Sequence, residues 1–171
     1  GRSRMWEPYL AMEGPMKQNR RPHSRDLRKG RISEGGRIYL LTTVTRHRQP
    51  IFRNFRLGRI VVNSFRYHHE KGMTSSLAFV VMPDHIHWLA ELESGHGLER
   101  LMRSFKAYTS LMINRVRGTA GQPVWQAGYH DHALRREEDI RDVARYVVAN
   151  PLRAGLVERL EDYPLWDAVW L

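Results

Sequence analysis

Two short apolar runs separated by only two residues constrain the fold of this chain most strongly. Residues 77–82 and 85–92 are rich in β-branched, aromatic and aliphatic side chains, and Pro83-Asp84 between them is a turn-forming pair. Two strands with so short a connection pair antiparallel, because a parallel pair needs a crossover of about a dozen residues or more. The sequence therefore predicts a β-hairpin inside an antiparallel sheet.

The remaining periodic segments extend this hairpin into a complete fold. They predict strands at residues 38–45 and 124–134 and helices at residues 52–72, 98–116 and 137–150. The last helix opens on three acidic residues, which suit its positive end, and Pro151 limits it. The order β-α-β-β-α-β-α predicts an α+β, ferredoxin-like fold, with an antiparallel sheet and the helices on one face.

Composition favours a nucleic-acid partner. Lys and Arg number 28 against 18 Asp and Glu, most of the excess being Arg, whose guanidinium pairs with phosphate. A solvated basic surface or an affinity for anionic membranes are the alternatives. The absence of Cys excludes disulfides and thiolate sites, and no apolar run reaches membrane-span length. We expect a cytoplasmic, nucleoid-associated protein with no membrane partner.

The first 36 residues differ from the rest of the chain. Residues 17–36 are basic and have no apolar face, which predicts a flexible arm that orders on a phosphate backbone, or else a disordered tail. The chain starts with Gly1, and residues 1–15 have no clear period, so we expect them to precede a native start at Met16. Residues 37–171 are then one folded domain.

His85 and His87 are candidate metal ligands. Side chains two apart on a strand point the same way, while Ile86 and Trp88 point to the apolar core. Two neighbouring imidazoles are a natural start to a divalent-metal site, although further ligands are needed. The alternative is a pair of half-exposed strand histidines. His130 and His132 have the same spacing, so a second metal pair remains open beside a structural or DNA-facing role.

Tyr146 and Asn150 are a second candidate pair, because four residues separate them on the last predicted helix. Tyr146 lies off the apolar stripe of that helix, and a tyrosine hydroxyl can attack a phosphodiester. The amide oxygen of Asn150 is a candidate third ligand, and such a set with open positions fits Mg²⁺ or Mn²⁺. The alternative for Tyr146 is a surface or interface residue.

These motifs, in this order and spacing, resemble those of the REP-associated tyrosine transposases, a group of HUH single-tyrosine transposases. The resemblance runs from about residue 30 to residue 166 and covers the following stretches: Gly30-Arg31-Ile32-Ser33, Pro83-Asp84-His85-Ile86-His87-Trp88, Ser104-Phe105-Lys106, Val124-Trp125-Gln126-Ala127-Gly128-Tyr129-His130-Asp131-His132, Arg145-Tyr146-Val147-Val148-Ala149-Asn150-Pro151 and Asn150-Pro151-Leu152-Arg153-Ala154-Gly155-Leu156-Val157.

The resemblance implies a catalytic domain at residues 37–171 that cleaves and rejoins single-stranded hairpin DNA of palindromic repeats through a 5′-phosphotyrosine. By position, Tyr146 matches the nucleophile, and His85, His87 and Asn150 match the ligands of Mg²⁺ or Mn²⁺. Insertion-sequence relatives tend to have Gln at the position of Asn150. The residues expected to contact the hairpin or its flanking tetranucleotide are Arg25, Arg28, Lys29, Arg31, Ser33, Arg103 and Lys106. A monomer is expected, with a dimer as the alternative.

Three other functions remain open from the sequence. A domesticated relative would bind hairpin DNA or RNA without cutting it. A hydrolase would use the metal and a water, with Tyr146 only structural. A replication or mobilisation initiator would use the same chemistry, usually in a longer chain.

Overall fold

The computed structural model describes residues 37–169, which form one sheet with helices on both sides. The strands are β1 (Ile38–Val44), β2 (Thr74–Val81), β3 (His85–Leu92), β4 (His130–Leu134) and β5 (Trp166–Ala168). The helices are α1 (Phe55–Glu70), α2 (Leu98–Arg117), α3 (Glu137–Val148) and the single turn α4 (Asn150–Arg153), with 3-10 turns at Arg46–Arg48, Ile51–Arg53 and Leu160–Asp162. The strand order is β4-β1-β3-β2-β5, and each neighbouring pair is antiparallel.

The predicted α+β class, the antiparallel sheet and the β2–β3 hairpin are confirmed. The fourth predicted strand is shorter than expected, because only residues 130–134 pair along β1. Upstream of it, Trp125 forms an isolated bridge with Thr45. This strand lies at one edge of the sheet, and β5 forms the opposite edge. Residues 1–36, the predicted arm, lie outside the described residues.

The prediction that the helices lie on one face holds for α1 and α2 but needs correction for α3. Residues of α1 and α2 pack with Leu41 and Trp88 in one apolar cluster, whereas α3 packs with Leu40 and Leu89 in another. Side chains alternate along a strand, so these clusters lie on opposite faces of the sheet. Because β1 and β3 are apolar on both faces, each face needs its own cover.

Aromatic rings fill the layer beneath α1 and α2. The ring of Phe65 stacks on that of Phe105 with centroids 5.6 Å apart, and it meets the indole of Trp88 at 4.7 Å. The buried indole of Trp88 donates to Ser76 Oγ at 2.8 Å, so its polar atom is satisfied inside the core. This layer supports the underside of β3, the strand that carries the candidate histidines.

We predict that Phe65→Ala lowers the free energy of unfolding by about 3–5 kcal/mol, because it removes a ring that is 1% exposed at the centre of this layer. Phe55→Ala on the same helix is the matched control, since the ring of Phe55 is 54% exposed. That control is expected to change stability by no more than about 0.5 kcal/mol. Urea denaturation measures both, and equal losses would contradict the described packing.

Candidate active site

His85 and His87 lie on one face of the central strand β3, as predicted. Their ring centroids are 5.0 Å apart and the rings are nearly perpendicular, at 79°. His87 is buried, while His85 is half-buried at the start of the strand. The pair therefore forms one compact group of imidazoles at the end of the sheet where β3 begins.

Each imidazole is anchored through its Nδ1 atom. His87 Nδ1 lies 2.8 Å from Thr42 Oγ1, which faces it across the β1–β3 pair, and His85 Nδ1 lies 2.7 Å from Asp84 Oδ1. When Nδ1 is protonated, both rings donate to these oxygens, and Nε2 then carries the lone pair. Oxygen acceptors at the distal nitrogen are the usual outer partners of metal-binding histidines, so these residues fit a divalent metal.

Asp84 links the histidine pair to the turn after β1. Arg48 Nε donates to Asp84 Oδ2 at 3.2 Å, while the other carboxylate oxygen contacts His85. Burial tends to raise the pKa of Asp84, but hydrogen bonding and charge from His85 and Arg48 outweigh it and leave the pKa below its usual value. The carboxylate is therefore kept ionised, as a partner that orients His85.

Helix α3 covers the same face of the sheet as the histidines. Val143, Val147 and Val148 of α3 pack in one cluster with Leu89, which is two residues beyond His87 on β3 and shares its face. Tyr146 is half-buried on this helix, between the buried stripe and solvent. The candidate nucleophile and the candidate metal pair are thus on one side of the sheet.

Asn150 does not lie on the same continuous helix as Tyr146, which corrects the sequence-based expectation. Helix α3 ends at Val148 with Ala149 as its C-cap, and Asn150 begins the short helix α4. The cause is Pro151, which has no backbone N–H to continue α3 but is tolerated in the first turn of a new helix. Asn150 is half-buried at this break.

Arg153, at the end of α4, contacts Tyr146 in two ways that the sequence did not reveal. Its guanidinium carbon lies 3.8 Å from the centroid of the Tyr146 ring, and its Nη2 donates to the Tyr146 carbonyl oxygen at 2.6 Å. Burial lowers the pKa of Arg153, while the interactions with Tyr146 oppose that shift. The sequence signals were the place of this Arg two residues after a proline and within the stretch Asn150 to Val157 that resembles the transposase family.

The predicted DNA-contacting residues have different positions. Arg103 forms an exposed ion pair with Glu99 at 3.4 Å. Lys106 Nζ donates to the carbonyl oxygens of Gln126, at 2.8 Å, and of Gly128, and so fastens the segment that leads into β4. The predicted arm residues Arg25, Arg28, Lys29, Arg31 and Ser33 lie outside the described residues. Contact of any of these residues with DNA stays a prediction.

A basic cleft lies beside the turn that carries Arg48. It has a volume of about 750 Å³ and is formed by this turn and the end of α2, with Arg46, His47 and Arg117 as its basic residues. None of the described residues that line it is acidic. His47 and Arg48 both have left-handed backbone angles, with φ of 55° and 51°, which non-glycine residues seldom adopt. Strain of this kind often marks functional loops.

His130 and His132 lie on the histidine face of the sheet but on its edge strand. The β1–β4 register places His130 opposite Thr42 and His132 opposite Leu40. Within residues 37–169, no three His, Asp, Glu or Cys side chains group closely enough to bind a metal by themselves. Asn150 as a third ligand stays a prediction.

Comparison with known proteins agrees with this fold and these motifs. The family described as "Transposase IS200 like" matches residues 36–150. The chain belongs to the IS200-like transposase family. This confirms the resemblance inferred from the motifs. Within residues 37–169, no helix of this transposase homologue combines the length and apolar character needed to cross a membrane.

Two individual relatives refine the comparison. A REP-associated tyrosine transposase of Escherichia coli K12 is 27% identical over 88 residues, which are 51% of this chain and 50% of the relative. The chain thus spans about half the length of this curated relative. A solved REP-associated tyrosine transposase bound to a REP hairpin superposes with a TM-score of 0.66 at 22% identity, covering 80% of this chain and 79% of the other. That match establishes the shared fold.

Proposed function

We propose that this chain cleaves and rejoins single-stranded DNA at hairpins formed by palindromic repeats, with Tyr146 as the nucleophile. The observation that carries the proposal is that the anchored histidine pair and the tyrosine helix lie on one face of the sheet. Membership of a transposase family and the net charge of +10 support it. The hairpin as substrate is inferred from the related transposase solved with a REP hairpin.

The chemistry is a transesterification that conserves the phosphodiester bond energy. Tyr146 Oη attacks the scissile phosphorus as its phenolic proton leaves, and a bond forms between Oη and phosphorus. The bond from phosphorus to O3′ breaks, and O3′ takes up a proton as a free 3′-hydroxyl. The 5′ side remains attached to Tyr146 as a phosphotyrosine, and attack by a 3′-hydroxyl reverses these steps and rejoins the strands.

A divalent ion is part of this proposal. His85 and His87, through Nε2, and Asn150, through its amide oxygen, would hold Mg²⁺ or Mn²⁺. Such an ion, when bound, stabilises negative charge on the phosphate oxygens. Thr42 and Asp84 engage the Nδ1 atoms of the two imidazoles, so Nε2 is the nitrogen of each ring that would bind the ion.

The basic cleft is proposed to hold DNA backbone that leaves the site. It adjoins the histidine pair through the chain of contacts from Arg48 to Asp84 to His85. Hydrogen bonds join three of its lining residues, because Asn114 donates to the Gln122 carbonyl at 2.9 Å and accepts from Thr119 Oγ1 at 2.7 Å. Permanent positive charge on a preformed surface is suited to phosphate.

We predict that Tyr146→Phe abolishes the covalent protein–DNA adduct while hairpin affinity stays within about twofold of wild type, because only a hydroxyl is removed. A labelled single-stranded repeat hairpin is incubated with Mg²⁺ or Mn²⁺ and run on a denaturing gel, and affinity is measured by fluorescence anisotropy. Tyr67→Phe, on α1 at the opposite face, is the matched control.

An adduct that persists in Tyr146→Phe would contradict the nucleophile assignment. Cleavage of the hairpin by the wild-type protein without an adduct would favour hydrolysis by water. Binding without cleavage, across several repeats and both metals, would favour a binding module.

We predict that His87→Ala abolishes measurable Mn²⁺ binding in calorimetry, and that Thr42→Val and Asp84→Asn each weaken it roughly 10- to 100-fold by releasing an imidazole from its orientation. His132→Ala is the control, since His132 is exposed on the same face but at the edge strand. A loss in His132→Ala as large as that in His87→Ala would instead place the ion at the second histidine pair.

We predict that Arg46→Gln combined with Arg117→Gln weakens hairpin binding at least tenfold, because phosphate contacts are lost. The slope of log Kd against the logarithm of the salt concentration should fall by about one or two. Arg115→Gln is the control, since Arg115 lies in the last turn of α2 but does not line the cleft. An unchanged salt slope in the double variant would exclude the cleft as a DNA-binding surface.

A further inference from the structure

The interruption between α3 and α4 brings a permanent cation back onto the tyrosine helix. Pro151 ends α3, and the single turn of α4 ends at Arg153. In an uninterrupted helix, residues seven apart are about 10 Å apart along the axis. Here the guanidinium of Arg153 instead reaches both the ring and the carbonyl of Tyr146.

The hydrogen bond and the stacking contact between Arg153 and Tyr146 have different physical effects. The bond from Nη2 to the Tyr146 carbonyl satisfies an acceptor near the end of α3, as basic side chains commonly do. The stacking of the guanidinium on the ring is not required for that capping role. A planar cation over one face of a ring restricts rotation of the ring and favours one orientation of it.

Arg153 is suited to hold a nucleophile still. Both contacts go to Tyr146, and among the described residues no carboxylate is ion-paired with Arg153, so Tyr146 is its main partner. Its neighbour Arg145 is different, because it forms an ion pair with Asp142 at 3.3 Å. An attacking oxygen must be held close to its target and aligned with it, and an error of about 1 Å can cost a factor of about 100 in rate.

We propose that Arg153 is a positioning residue for Tyr146, which fixes the plane of the phenol ring so that the hydroxyl is presented to the scissile phosphate. This inference rests on the proposed nucleophilic role of Tyr146. The segment Asn150–Arg153 would then both end the tyrosine helix and position the nucleophile. Lysine can supply the charge at this position but not the planar stack.

The test compares the rate of adduct formation with hairpin affinity in Arg153→Gln and Arg153→Lys, using the same labelled hairpin at saturating protein. We expect Arg153→Gln to slow adduct formation roughly 10- to 100-fold with Kd within about twofold of wild type. Arg153→Lys should recover only part of the rate. The matched control is Arg141→Gln, because Arg141 is an exposed arginine of α3 that pairs with Glu137.

A second measurement does not depend on cleavage. With 3-fluorotyrosine incorporated, the ¹⁹F resonance of residue 146 (assigned by its absence in Tyr146→Phe) should shift and broaden in Arg153→Gln and stay unchanged in Arg141→Gln. Thermal unfolding of each variant checks that the fold is intact, and Arg153→Lys provides the same comparison if the Gln variant does not fold.

The outcomes separate this inference from the function on which it rests. A wild-type adduct together with wild-type rates and resonances in Arg153→Gln would overturn the positioning role alone. Equal losses of rate and affinity would also overturn it, since they indicate a DNA contact or a general structural defect. The absence of an adduct with the wild-type protein would overturn the proposed function and the positioning role together.

Discussion

The antiparallel pairing of β1 with β3 is the constraint on which the rest of this structure depends. It sets His87 opposite Thr42, whose hydroxyl forms a hydrogen bond with the imidazole Nδ1, and it sets Leu40 opposite Leu89 on the same face. Because side chains alternate along a strand, a slip of one residue would move the histidines into the aromatic layer and the indole of Trp88 to the face that α3 covers. The burial of both faces of the sheet therefore specifies the register, and the register creates the histidine pair.

The apolar face of the sheet that carries Leu40 and Leu89 explains the position of Tyr146. Leu40 and Leu89 need cover, and the valine stripe of α3 supplies it, which brings Tyr146 to the histidine side of the sheet. Pro151 then ends the helix within a turn of Tyr146, and the guanidinium of Arg153 from the next helical turn stacks on the phenol ring. The candidate site is therefore made of a strand, a helix and the turn that ends the helix, and the core holds it on one side.

Features encoded locally could be predicted from the sequence, and features that depend on distant contacts could not. The hairpin and the shared face of His85 and His87 follow from alternation over a few residues, and both are confirmed.

The position of α3 on the opposite face of the sheet follows from β1 being apolar on both faces. A continuous apolar run in the sequence does not show whether helices cover one face of the strand or both. The hydrogen bonds from Lys106 to the Gln126 and Gly128 carbonyls join segments some twenty residues apart, so helical periodicity alone did not indicate them. The stacking of Arg153 on Tyr146 depends on the turn geometry after Pro151, which the pattern of helical residues does not specify.

The central claim is that one face of the sheet holds both the metal and the tyrosine that acts on DNA. The most direct measurement is a crystal structure of Tyr146→Phe with a repeat hairpin and Mn²⁺, using anomalous scattering to locate the ion. The account predicts an anomalous peak bound by Nε2 of His85 and His87, with a phosphate of the DNA between that ion and the ring of residue 146. An ion bound by His130 and His132, or a scissile phosphate bound away from the face of the sheet that carries His85, His87 and Tyr146, would contradict it.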